Sequence, residues 1–196
     1  MPYPRRAILA VPLLLAACGG DEPVRTSFPA LRYDYLTPLR LNVATLAMAD
    51  LPPPGPLDAQ SPVPLGAAVQ AMARDRLSAS GSGGQAVFTV DEARITGAGR
   101  RGGGGGLDGV IAVHLDVLTP EGTRAGFAEA RVARRSTGTG RDLRGAVYDM
   151  TRQMLDDLNI ELEFQLRRSL KDWLQDATTA PAPPPVEQQD LRAPGT

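Results

Sequence analysis

The chain of 196 residues has one cysteine, one histidine and one tryptophan, and only 5% of it is aromatic. A lone cysteine excludes an internal disulfide framework, and a lone histidine excludes a metal site built from several imidazoles. Net charge is nearly absent: 21 basic and 22 acidic side chains leave −1. That balance excludes the strong basic footprint of a general nucleic-acid binder. Long apolar runs are missing too. The stretch Ala7 to Ala17 is about half the ~20 residues that a helix needs to span a bilayer, and no later stretch does better. Of 18 prolines, only Pro120 lies between Leu65 and Ala180. The middle therefore reads as the ordered domain, and both ends read as loose.

What is present begins at the N-terminus, MPYPRRAILAVPLLLAACGG. Arg5 and Arg6 form a positive n-region before the short apolar stretch, and small residues follow, the layout of a secretory signal. Leu15-Ala16-Ala17-Cys18 resembles the lipobox of bacterial lipoproteins. The resemblance implies a diacylglycerol on the Cys18 thiol, cleavage just before it, and acylation (palmitate) of the new amine. Two or three acyl chains, at ~0.8 kcal/mol per buried methylene, anchor a protein durably. An ordinary signal with a chance cysteine is the plainer alternative. Gly19 and Gly20 follow, without the aspartate that retains such lipoproteins at the inner membrane. The resemblance therefore implies the outer membrane, periplasmic face, with the inner membrane as the alternative. Loss of residues 1–17 leaves a net charge of −3.

Residues 18–38 read as the lipidated N-terminus and tether, 39–176 as a single periplasmic domain, and 177–196 as a disordered, Pro/Ala-rich tail. Leu39, Leu41 and Val43 alternate as a strand. A proline-rich connector (51–64) follows, then a helix over Leu65 to Ala79 that Gly81 stops. Strands are expected from Ala86 to about Ile95, Leu107 to Thr119 and Arg124 to Arg135. Asp142 can cap a last helix whose apolar stripe steps from Leu143 to Trp173 and reads continuously to Gln175. Asn159 is its candidate break, and a strand over 160–166 competes. The expected fold is α+β: one four-stranded, mostly antiparallel sheet in the order strand-helix-strand-strand-strand-helix, with helices on one face and a long C-terminal helix.

Few residues suggest chemistry. The run Gly102 to Gly106 lacks the Gly-Lys-Ser/Thr ending of a phosphate loop and leads into a strand, so a flexible hairpin loop explains it. His114 and Asp116 share a strand face and could orient a base, but no nucleophile motif accompanies them. Asp156 and Asp157 adjoin on a helix and point apart. Arg131, Arg134 and Arg135 are candidate partner-binding residues, with Arg141 and Arg144 close after them in sequence and Arg100 and Arg101 expected to approach from a neighbouring loop. Their guanidinium groups suit phosphate or carboxylate. The plainer account is a solvated rim balanced by Glu129 and Asp142. Trp173 is read equally as an interface anchor and as a core-closing residue. No catalytic residue, metal site or cofactor is assigned.

The layout is similar to that of the ABC-type transport auxiliary lipoproteins of Gram-negative envelopes, and more distantly to the lipoprotein that plugs the lipopolysaccharide-export barrel. The likeness rests on Cys18, the strand near Leu39 to Val43, the segment Arg74-Asp75-Arg76-Leu77-Ser78-Ala79-Ser80-Gly81, and the strands and helix after it. It implies a non-catalytic, membrane-anchored accessory or docking component of an envelope transport or outer-membrane assembly machine. The partners it implies are transporter subunits or an outer-membrane barrel, and no nucleic acid. Two alternatives stand beside it: a small periplasmic enzyme or ligand binder with a pocket near His114, and a passive structural lipoprotein.

Overall fold

The computed structural model describes residues 24–98, 105–139 and 142–175. Cys18, Arg100, Arg101, Arg141 and the 177–196 tail lie outside them. In chain order the elements are β1 (Leu39–Leu41), β2 (Thr45–Met48), α1 (Leu65–Arg76), β3 (Leu77–Ala79), β4 (Gln85–Ala98), β5 (Gly106–Leu118), β6 (Arg124–Ser136), α2 (Leu143–Ser169) and β7 (Leu174–Gln175). The class is α+β with a long second helix, but the single sheet expected from the sequence is two. One has the order β2-β4-β5-β6 and the other β3-β1-β7, and both are mixed.

The reason is local. β1 ends at Leu41, and Val43 folds its N–H back onto the Leu41 carbonyl at 2.8 Å. The chain then joins the larger sheet as β2, parallel to β4. The expected 65–79 helix stops at Arg76, because Leu77–Ala79 pair in parallel with Leu39–Leu41. Three extended residues have too short a pattern to oppose a helical stripe. Gly81 is not the helix stop. A Cβ there would lie 2.5 Å from the Asn42 carbonyl carbon, so glycine lets the chain pass the β1–β2 turn.

The four long-sheet strands bury one face. On β5 the odd positions Leu107 to Val117 are buried, and on β6 Ala128 and Ala130 face the same way. This matches the alternation read in the sequence. α1 and α2 cover that face and complete the core with Leu65, Val69, Met72, Met154, Leu158, Leu162 and Leu166. Asp142 caps α2, accepting the Gly145 N–H at 2.8 Å. The helix runs through Asn159 unbroken, and no strand forms over 160–166. It ends at Ser169, short of the expected Gln175. A 3-10 turn (Lys171–Trp173) returns the chain to β1 as β7. Two glycines let α2 lie close to the sheet: a Cβ on Gly109 would meet Met154 Sδ at 2.4 Å, and one on Gly126 would meet Leu170 Cδ2 at 2.6 Å.

Within the 18–38 segment, residues 25–33 make ordered contacts with the domain. Arg25 donates to Asp149 at 2.8 Å, Tyr148 Oη donates to the Pro29 carbonyl at 2.9 Å, and Tyr33 Oη donates to Asp156 at 2.7 Å. Residues 25–33 thus lie along the first half of α2. No helix among the described residues is long and apolar enough to cross a membrane.

Candidate functional site

Three places on the domain concentrate polar or unpartnered groups. The first is a cleft of about 420 Å³ between the β1 entry, the end of α1 and the second half of α2. Arg76 forms its floor and is 3% exposed. Its Nε donates to Asn159 Oδ1 at 2.6 Å, Nη2 donates to Glu163 Oε2 at 2.6 Å, and Nη1 donates to the Thr37 carbonyl. A buried guanidinium needs such a set of acceptors, because an unpaired charge in the interior is strongly disfavoured. Arg167 reaches Glu163 from the rim at 2.9 Å, and the exposed Arg40 lines the mouth. Leu36, Pro38, Leu39 and Leu174 supply apolar walls. The sequence reading missed this site. Arg76 falls on the apolar stripe of α1, and an arginine at a core position was the available signal.

The second place is the open face of the larger sheet. His114 Nδ1 lies 2.8 Å from Asp91 Oδ2, and its Nε2 lies 3.5 Å from Asp116 Oδ2. The expected His114–Asp116 pair is therefore present, and Asp91 joins it. A bulge between Val90 and Glu92 places Asp91 beside the ring. The apolar period of β4 shifts from even (Ala86, Phe88, Val90) to odd (Ala93, Ile95), and that shift was the sequence signal for the bulge. Phe127 tilts against the ring at 5.7 Å, and Arg124 lies over Phe127 at 5.2 Å. The cluster sits on the face of the sheet away from the helices, and the clefts described in the structure are lined by other residues.

The candidate arginines of β6 do not converge. Arg131 and Arg135 point to the open face, where they pair with Glu92 at 3.1 Å and Asp108 at 2.5 Å. Arg134 points to the opposite face and pairs with Asp157 of α2 at 3.0 Å. Alternation along a strand imposes this split. Arg144 lies apart, over the Phe28 ring at 5.5 Å. Trp173 is half-buried against the core, with its indole Nε1 3.3 Å from where a Gly126 Cβ would stand. Asp156 and Asp157 part as expected, toward Tyr33 and Arg134.

The third place is an exposed apolar strip. Ile160 is 69% and Phe164 55% exposed, one turn apart on α2. One turn before them Asp156 holds Tyr33, whose ring stacks at 6.3 Å on Tyr35, itself 73% exposed. Burial raises the Tyr33 phenol well above its ordinary range, and the hydrogen bond to Asp156 adds to that.

No family model and no curated protein sequence matches this chain. Among solved structures it is similar to a minor lipoprotein from Acinetobacter baumannii, at 16% identity over 64% of this chain and 94% of that one, with a TM-score of 0.36. It is also similar to a Xanthomonas campestris protein of the DUF330 family, at 12% identity over 76% and 90%, with a TM-score of 0.39.

Proposed function

We propose that the chain is a non-catalytic lipoprotein, anchored through Cys18 to the periplasmic face of the outer membrane. In this reading its domain docks onto a protein component of an envelope transport or outer-membrane assembly machine. The anchoring half rests on the n-region, the short apolar stretch and the lipobox ending at Cys18. The observation that carries the docking half is the pair Ile160 and Phe164, one turn apart on α2 and two of the six large apolar side chains the described surface exposes. Grouped aromatic and aliphatic side chains are the usual anchors of a protein interface.

The test is palmitate labelling and membrane fractionation of the full-length protein beside Cys18→Ala, followed by mild detergent co-purification. Label and outer-membrane sedimentation that vanish in Cys18→Ala, with a discrete envelope protein recovered from wild type, fit the proposal. A soluble, unlabelled wild-type protein contradicts it.

A second reading has its own observation. The Arg76 cleft has the volume of a small-molecule site, and its lining carries Arg40, Arg76 and Arg167 against Glu163, an excess of positive charge that suits a ligand bearing a carboxylate or phosphate. It takes the place of the pocket expected near His114. Calorimetric titration with phosphate and with short-chain fatty acids tests it, and saturable heat lost in Arg40→Ala would favour it.

A further inference from the structure

The Arg76 cleft joins two unlike surfaces. One is apolar: Leu36, Pro38, Leu39 and Leu174 stand together because β7 pairs with β1, with Leu174 opposite Leu41. Alternation puts Leu39 and Leu41 on the buried face of that small sheet. The other surface carries three arginines and Glu163. A bare anion would leave the first surface in water, and a plain hydrocarbon would leave the second unused.

The three arginines are not equivalent. Arg76 is engaged within the protein by Asn159, Glu163 and the Thr37 carbonyl, and its side chain is 4% exposed. With its charge matched and its donors occupied, it closes the floor instead of capturing a solute. Arg167 is 58% exposed and shares Glu163 with Arg76, so one carboxylate serves two guanidinium groups. Arg40 lies on the exposed face of β1 and has no carboxylate partner among the described residues. The rim therefore carries more positive charge than the protein neutralises, directly beside the apolar wall.

Size narrows the choice further. About 420 Å³ equals roughly fourteen waters of the bulk liquid, room for about a dozen non-hydrogen atoms. That is too little for a lipid with two long acyl chains and far more than a bare phosphate fills.

We infer that the cleft binds an amphipathic oxyanion of this size, with its carboxylate or phosphate held by Arg40 and Arg167 and a single alkyl chain of about eight carbons laid against Leu36, Leu39 and Leu174. The inference rests on the reading of the cleft as a ligand site, and it supplies the class of ligand. Guanidinium meets either oxyanion through paired N–H donors. Each methylene fully withdrawn from water strengthens binding by up to about fourfold. The Arg76 floor loses little when a chain covers it, because its hydrogen bonds are made within the protein.

The test uses the full chain with Cys18→Ala, which needs no detergent that would compete for the cleft. Calorimetry compares octyl phosphate with inorganic phosphate, the head alone, and with octanol, the chain alone. Octyl phosphate should saturate a single site at least about tenfold more tightly than either. Arg40→Gln and Arg167→Gln, both at exposed positions, should each weaken it at least about fivefold while the melting temperature stays within about two degrees. Arg131→Gln, on the far face of the larger sheet, should change nothing. Affinity should rise from butyl to octyl phosphate and level off by dodecyl, where the chain outgrows the cleft. Decanoate should compete for the same site. Inorganic phosphate binding as tightly as octyl phosphate would overturn the amphiphile and leave the cleft an anion site. Affinity that climbs through dodecyl and ignores both arginine variants would overturn it as non-specific adsorption. No saturable heat from any probe would overturn the ligand-site reading itself, and the inference with it.

Discussion

Arg76 Nη2 stands 2.6 Å from Glu163 Oε2, joining the last residue of α1 to the second half of α2. The contact is a clamp as well as a cleft floor. The arginine side chain is 4% exposed, whereas the glutamate is 33% exposed and keeps Arg167 as a second partner. The two ends of the pair are therefore unequal. Arg76→Leu leaves Asn159, Glu163 and the Thr37 carbonyl without their donor and should cost roughly 2–3 kcal/mol in urea denaturation. Glu163→Gln preserves the shape but leaves the buried guanidinium without its counter-charge, and should cost roughly 3 kcal/mol. A loss near zero for Glu163→Gln would show that the carboxylate does not compensate the buried charge.

Tyr33 links the N-terminal segment to both helices: its hydroxyl donates to Asp156 and its backbone N–H donates to Asp75 at 2.9 Å. Its phenol is harder to ionise in the folded state than in the unfolded chain. The stabilisation it gives is complete below the unfolded value near pH ~10 and is lost as pH rises above that. Alkaline titration followed by stability should fall with a slope of one extra proton, and Tyr33→Phe should remove that slope. At neutral pH the same variant should cost about 1 kcal/mol.

Asp142 has the opposite sign. The Gly145 N–H, and after it the Arg25 N–H, hold its carboxyl below the ordinary range. Its contribution is therefore present above the unfolded value near pH ~4 and disappears as pH falls through the lower folded value. Asp142→Ala should lower the melting temperature by about a few degrees at pH 7, and by less once the pH has fallen through the lowered folded value. Asp142→Asn, which also caps helices well, should restore most of the loss at pH 7.

Gly126 lies beneath Leu170 and Trp173, where the chain turns from α2 into β7. Gly126→Val should force both apart and cost roughly 1–3 kcal/mol, with a shift in Trp173 fluorescence. An unshifted spectrum at wild-type stability would mean that the end of the core is looser than its packing indicates.

The elements with long periods were legible in the sequence. β5, β6 and α2 show thirteen or more residues of regular alternation or stripe, and the Asp142 cap stands at the predicted place. Among the short elements only β1 was, through the alternation of Leu39 and Leu41. β3 and β7 have three and two residues, and only their pairing with β1 makes them strands. The same limit hid the functional geography. Strand alternation predicted His114 beside Asp116, but bringing in Asp91 needed the inter-strand register and its bulge. The β6 arginines looked like one cluster in sequence, yet their parity places Arg134 on the other face. The Arg76 cleft depends on three segments that meet only when the smaller sheet closes.

The docking claim is tested most directly by a photo-crosslinking amino acid placed at Ile160 in the full-length protein in cells, with Ala133 on the opposite face as control. Both positions are solvent-exposed, so neither substitution should shift stability by more than about 0.5 kcal/mol. The account predicts a single discrete crosslinked envelope protein from position 160, and none from 133. Identical products from both positions, or none from either, would contradict it.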